Sequence, residues 1–339
     1  MSLWRRKMEI VKSNQSNQLF NKIFKRTKIY RIDDKIDLTQ EKIGIELGEY
    51  HNLLKSATLN QDSANLLRKL NDNGYILYWY KNRISYFVKN DKMNTIWQRN
   101  DLLQLGNFLF TINEPENLGE SEDNSLIVVF SSYPNTRADA LSSKITRRVF
   151  PDFFSNIDSY IIGSTIVLRI MDSCSLYGSA YMNTKTNTEI ETNVQNIISE
   201  VKEKYGIQSN KVILTGSHKG AVAALYHSYL GNYVSVVCDP QSEFETQGNE
   251  DLAALIDFMP KINVEEKFED FRKQENKVIV NSATPCMDLD GTVKNLVDSI
   301  ILPYEYNNDD GNFNLNLRVG LSVIMNQWLL KDICMSNND

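Results

Sequence analysis

Histidine is the scarcest chemistry-bearing residue in this chain: among 339 residues only His51, His218 and His227 carry an imidazole. Any mechanism that moves protons through imidazole near neutral pH has three places to find one. Cysteine is nearly as sparse. Cys174, Cys238, Cys286 and Cys334 lie far apart and form no C-x-x-C pair. Neither a zinc knuckle nor a dithiol redox motif can be read from such spacing, and reduced, buried thiols are expected. With 7 prolines and 15 glycines the chain is not linker-rich. No apolar run reaches the roughly 18 residues that cross a bilayer. The longest, 160–171, is interrupted by Ser164 and Arg169. The opening MSLWRRKMEIVKSNQ has basic residues but no apolar segment after them, so no secretory signal is read. A cytoplasmic protein is expected, peripheral at the inner membrane if its basic N-terminus meets lipid.

What is present is ordinary for a soluble globular chain with a sizeable core: 42% hydrophobic, 24% charged and 10% aromatic residues. The length suits one large domain with a smaller companion. A net charge of −6 conceals an asymmetry. Arg5, Arg6, Lys7, Lys12, Lys22, Lys25, Arg26, Lys28 and Arg31 face the single acid Glu9 at the N-terminus, so the remainder is strongly acidic. A basic arm on an acidic body suits an anionic membrane surface or a polyanionic glycan, and a plain solvated leader is the simpler alternative. No RNA- or DNA-binding signature accompanies the arm, so no nucleic-acid partner is expected.

Residues 1–60 read as the basic leader and a helical segment. Residues 61–116 read as a small α+β N-terminal domain, because Ala64, Leu66, Leu67 and Leu70 fall at helical spacing before YILYWYKNRISYFVK, which alternates like a hairpin. The hairpin's aromatic residues suit either packing or a sugar-stacking face. The polar stretch 116–124 marks a boundary. From 125 to 332, short β-branched runs alternate with amphipathic helices, the pattern of a parallel sheet covered on both faces. The fold class expected is therefore α/β, with a doubly wound, mostly parallel sheet of α/β-hydrolase type and a small N-terminal α+β segment.

The hydrolase assignment comes from KVILTG-SHKG-AVAALYHSYL. An apolar strand, a glycine-bounded turn and an alanine-rich helix make a nucleophile elbow, whose tight turn requires small residues two before and two after its tip. Gly216 and Gly220 meet that requirement with His218 at the tip. Moving the register to put Ser217 there would place Lys219 on the crowded side. The helix N-terminus beside Ser217 and Lys219 favours an anion. An acid is expected after the next-to-last strand, where ATPCMDLDG supplies Asp288 and Asp290. A base is expected after the last strand, yet residues 307–320 contain no histidine. A serine hydroxyl without a base is a poor nucleophile, so the ordinary Ser-His-Asp arrangement is not supported. His227 lies too far along the helix and suits packing instead.

The residues RIMD (169–172), GSAYMN (178–183), GSHKG with AALYHSYLGNY, and VVCDP (236–240) resemble the XcbB/CpsF capsular polysaccharide biosynthesis proteins of bacteria over about 75–330. That resemblance implies an α/β-hydrolase-like fold and a role in capsule assembly. Its members are similar in having G-x-S-K-G at the elbow, so His218 stands here in place of serine while Lys219 and Gly220 match.

The candidate catalytic residues are His218, Ser217 and Asp288. In an open α/β sheet the loops at the carboxyl ends of the strands gather over one crevice, which makes Ser131, Ser132, Asp172, Ser179, Lys219 and Asp239 candidates for substrate binding. Arg147 and Arg148 are expected to bring positive charge to a phosphate or a carboxylated sugar. No metal site or cofactor is expected. The functions in view are acyl or ester transfer or hydrolysis on a capsular glycan or its precursor, a catalytically degenerate module that binds glycan or other capsule-assembly proteins, and a glycosyl or phosphosugar transferase. The last has only Asp288-Leu289-Asp290 as a formal metal pair.

Overall fold

The structure is a computed structural model that describes residues 27–96, 101–116, 118, 124–134, 136–242, 253, 255–281, 291–302 and 315–335. The first described strands are β1 (Lys28–Arg31) and β2 (Lys42–Glu46). Helix α1 (Gln61–Asp72) follows, capped by the Asn60 side chain, which accepts from the amide of Ser63. Leu66, Leu67 and Leu70 of α1 are buried, as their spacing requires. The hairpin is β3 (Tyr75–Lys81) and β4 (Ile84–Lys89). Asn82 and Arg83 both take positive φ, 52° and 65°, as a two-residue hairpin turn demands. Its aromatic residues pack: Tyr75 and Phe87 are fully enclosed, and the rings of Tyr78 and Tyr86 meet at 6.4 Å.

These strands form a four-stranded sheet in the order β1-β2-β4-β3, with β1 and β2 parallel and the rest antiparallel. Residues 28–46 contribute two strands ahead of the short helix Leu53–Ala57, which lies in the segment read as helical before residue 60. One expectation changes here. The next two strands, β5 (Leu103–Leu105) and β6 (Phe108–Asn113), leave this sheet and join the large one, because β6 pairs antiparallel with β8. The large sheet therefore begins before the polar stretch 116–124.

Its remaining strands are β7 (Ser125–Phe130), β8 (Thr165–Ile170), β9 (Val212–Gly216), β10 (Val234–Cys238), β11 (Lys277–Asn281) and β12 (Asp298–Ile301). The order across the eight strands is β12-β11-β10-β9-β7-β8-β6-β5, and every pair from β12 to β8 is parallel. Helices α2 (Ile190–Lys204) and α3 (Lys219–Gly231) cover one face, burying Ile190, Val194, Ile197, Ala221 and Leu225 against Leu126, Val128, Phe130 and Leu214. Helix α4 (Leu315–Met335) covers the other, with Leu317, Leu321 and Met325 against Ile127, Val129, Val234 and Val236. Burial on both faces explains why these strands read as continuous apolar runs. Among the described residues, no helix is long and apolar enough to cross a membrane.

Arg148 ties the smaller sheet to the loop after β8. It is fully buried in the short helix Ile145–Val149, its Nη1 donates to Leu176 O at 2.8 Å, and its Nη2 donates to Leu77 O on β3. Burial pulls its guanidinium down to about 10. It is enclosed between β3 and that loop rather than presented to the crevice, because its donors satisfy backbone carbonyls that water cannot reach. Replacing Arg148 by Ala leaves both carbonyls bare and opens a void. Unfolding in urea should show a loss of about 2–5 kcal/mol, and a change below about 1 kcal/mol would contradict the role as a tie.

Candidate functional site

The carboxyl end of β9 runs into α3 through the expected elbow. His218 takes φ 50° and ψ −121°, a conformation that L-residues rarely adopt and that tight, functional turns retain. The flanking glycines are required by contact. A Cβ on Gly216 would stand 2.5 Å from the Gly220 carbonyl carbon, and one on Gly220 would stand 2.6 Å from Phe130 O and 2.9 Å from Ser131 O. The tip is thus pressed onto the end of β7, and His218, not Ser217, occupies it.

That close approach brings the loop after β7 to the imidazole. Ser132 Oγ lies 3.1 Å from His218 Nδ1. On the neighbouring side, His218 N donates to Cys238 O at 3.3 Å, and Asp239 follows directly with a positive φ of 39°. Asp239 is almost fully buried, and its amide donates to Val280 O. Burial pushes the His218 imidazole down to about 4, and the nearby Asp239 carboxylate opposes this by favouring the protonated ring. At neutral pH the ring is uncharged and able to accept a proton.

Behind the tip lies a buried ion pair. Lys219 Nζ is 2.8 Å from Asp172 Oδ2, with the two side chains 0% and 1% exposed. Asp172 also accepts from the amides of Ser179 at 2.8 Å and Ala180 at 3.0 Å, while Lys219 donates to Tyr177 O at 2.7 Å. Gly178 leaves the space in which the pair meets, since a Cβ there would collide with both Asp172 and Lys219. These partners satisfy both charges internally, which is the condition for burying them. Lys219, Asp172 and Ser179 therefore hold the 172–180 loop against the first turn of α3, and the substrate contacts expected of them are replaced by these internal bonds.

The other candidate residues fall as follows. Ser131 lines a small polar cavity of about 200 Å³ with Thr111, Asp152 and Arg169, and its amide donates to Tyr181 Oη. Ser217 is buried and extends β9 by a bridge to Cys238. Arg147 is exposed and pairs with Asp139 at 3.3 Å, an arrangement of the surface rather than of the crevice. Arg148 is the enclosed tie described above, so neither arginine supplies the expected anion contact. Asp288 and Asp290 lie outside the described residues. His227 is a core residue. It is fully buried on α3, its Nε2 is 2.9 Å from Tyr181 O, its Nδ1 is 3.0 Å from Gln195 Nε2, and it stacks on Phe130. Among the described residues, no group of His, Cys, Asp and Glu is arranged to hold a metal ion.

With the geometry in place, the sheet and elbow define an α/β-hydrolase-type fold. No family model matches the chain, and no curated protein matches it. Solved structures are similar in outline. One is described as a putative dipeptidyl aminopeptidase IV from Bacteroides ovatus, with 14% identity, TM-score 0.44, and coverage of 66% of this chain and 33% of that one. Another is the Glycosylation Associate Protein (Gap123) complex from Streptococcus agalactiae, with 14% identity, TM-score 0.42, and coverage of 74% and 50%. A third is the capsule O-acetyltransferase of Neisseria meningitidis serogroup A, with 14% identity, TM-score 0.38, and coverage of 69% and 94%. The chain spans a third of the first of these and half of the second. No residue role is transferred from any of them.

Two outcomes are expected of this site. Lys219→Met strands the Asp172 carboxylate and should destabilise the fold by about 3–5 kcal/mol. Adding Asp172→Asn should recover a part of that loss, so a double variant as unstable as the two single losses combined would contradict the pairing. Burial also holds His227 down to about 4, as it does His218. The unfolded chain takes up protons at these rings below about 6.5, whereas the folded one does not. Stability is therefore complete above about pH 6.5 and declines as pH falls towards 4, by about 2–3 kcal/mol for a fully buried ring. Urea midpoints at pH 7.5 and 4.5 measure the loss. His227→Gln should reduce the difference between them, and an unchanged difference would contradict the assignment.

Proposed function

We propose that the chain transfers or hydrolyses acyl groups on a carbohydrate, with His218 as the group that takes and returns the proton. One observation carries the reading: the strained tip of the elbow sets the His218 imidazole at the N-terminus of a 13-residue helix, with the Ser132 hydroxyl 3.1 Å from its Nδ1. A neutral imidazole there suits general-base work, and the amide of Lys219 at the start of α3 suits a developing oxyanion. The carbohydrate part rests on the likeness of residues 169–172, 178–183, 216–220 and 236–240 to capsule-biosynthesis proteins; a capsular glycan or its precursor is the acceptor this implies.

A second reading is a non-catalytic module that binds glycan or capsule-assembly proteins. The lack of a histidine in residues 307–320 favours it, because an ordinary hydrolase places its base there.

The test is turnover of p-nitrophenyl acetate by the purified full chain, with and without an oligosaccharide acceptor. Wild type should turn over, and His218→Ala should lower kcat/KM by about 10²–10⁴-fold. Wild type no faster than His218→Ala would overturn the acyl-transfer reading and leave the binding module.

A further inference from the structure

The elbow offers three atoms that could carry an acyl group, and the geometry separates them. Ser217 lies one residue before the tip and is drawn into the sheet by its bridge to Cys238. The His218 ring meets a hydroxyl at its Nδ1. The third is Ser132, in the loop two residues past the end of β7. Alternation along β7 sorts the residues that lead to it. Phe130 points towards α3, where its ring meets Tyr181 edge-on at 4.7 Å and stacks on His227 at 5.5 Å. Val129 and Ser131 point to the other face and line the cavity with Arg169. Ser132 follows in the same loop, and its hydroxyl reaches the imidazole. The contact spans 86 positions in the sequence and depends on the close approach of Gly220 to the end of β7.

We infer that Ser132 is the nucleophile of a permuted catalytic arrangement, in which His218 on the elbow is its base and the Asp239 carboxylate after β10 steadies the ring. The serine and the histidine have exchanged places relative to an ordinary elbow, where the tip carries the hydroxyl. The inference rests on the acyl-transfer reading and adds the atom that carries the acyl group. Ser132 Oγ bonds to the carbonyl carbon of an activated acyl ester or thioester while its proton passes to His218 Nδ1. The bond from that carbon to the leaving oxygen or sulfur breaks, and the leaving group takes the proton from the ring. A sugar hydroxyl or water then attacks the acyl-Ser132 ester and gives its proton to the same nitrogen, and Ser132 Oγ recovers it on release. Asp239 touches neither donor nor acceptor in this scheme; it is a positioning residue that stabilises the imidazolium while it exists.

The experiment is acid-quenched p-nitrophenyl acetate turnover, and in parallel labelling with a fluorophosphonate, followed by fragment mass spectrometry of the full chain. The expected adduct is on Ser132. Ser132→Ala should lose it together with about 10³-fold or more of turnover, while Ser132→Cys should form a thioester at the same position, which separates lost chemistry from lost folding. Asp239→Asn should lower kcat and move the acid limb of the pH–rate profile to lower pH, because the anion that favours the protonated ring is gone; a merely structural role would lower the rate without moving the limb. Turnover with the adduct on His218 or Ser217, or turnover undiminished in Ser132→Ala, would overturn this inference and leave the acyl-transfer reading standing. Absence of both turnover and adduct in wild type would overturn the two together.

Discussion

Where α3 meets the end of β7 there is no space for a side-chain carbon on Gly216 or Gly220, and the backbone of the elbow rests directly on the carbonyls of Phe130 and Ser131. This close approach sets the rest of the site. It fixes which residue can occupy the strained tip, and it brings the loop after β7 within hydrogen-bond reach of that residue. It also starts α3 where the first side chain of the helix, Lys219, must turn inward. Backbone packing of this kind is rigid because it leaves nothing to rotate away. A conformation as unfavourable for histidine as φ 50° persists only when its surroundings determine it this strongly.

Buried charge is used here for position rather than for binding. Lys219 and Asp172 join the first turn of α3 to the 172–180 loop, and Arg148 joins that loop to the N-terminal sheet through the carbonyls of Leu176 and Leu77. The same loop contributes Tyr177, whose hydroxyl donates to Ala140 O and whose carbonyl receives Lys219. The smaller sheet thus packs against the segment that holds the elbow from behind. The Lys219–Asp172 pair, satisfied in this way, adds little net stability but makes the alternatives expensive, since separating the partners leaves a charge without water.

Much of this was legible in the sequence where the physics is local. The alternation of strands and helices from 125 onward, the hairpin turn at Asn82 and Arg83, and the register of the elbow all follow from short-range patterns. The register of the elbow is set by the two positions that have no space for a Cβ, Gly216 and Gly220. The contacts that could not be read are the long-range ones. Strands β1 and β2 are short, and their pairing with the hairpin depends on where the chain returns. Lys219 and Arg148 look like substrate-binding cations until their partners, 47 and 28 positions away, are known. Ser132 appeared only as one of several crevice residues, because nothing local to Ser131-Ser132 announces a histidine 86 positions later.

The chain's poverty in histidine makes the central claim directly observable. With only His51, His218 and His227 present, nitrogen-15 spectra of histidine-labelled protein contain three rings, and substitution identifies each. The account predicts that at pH 7 the His218 ring is neutral with Nδ1 unprotonated, that it gains a proton only near pH 4, and that Ser132→Ala shifts the Nδ1 resonance. A His218 ring that carries its hydrogen on Nδ1, or that titrates between pH 6 and 7 and ignores the loss of the Ser132 hydroxyl, would contradict it.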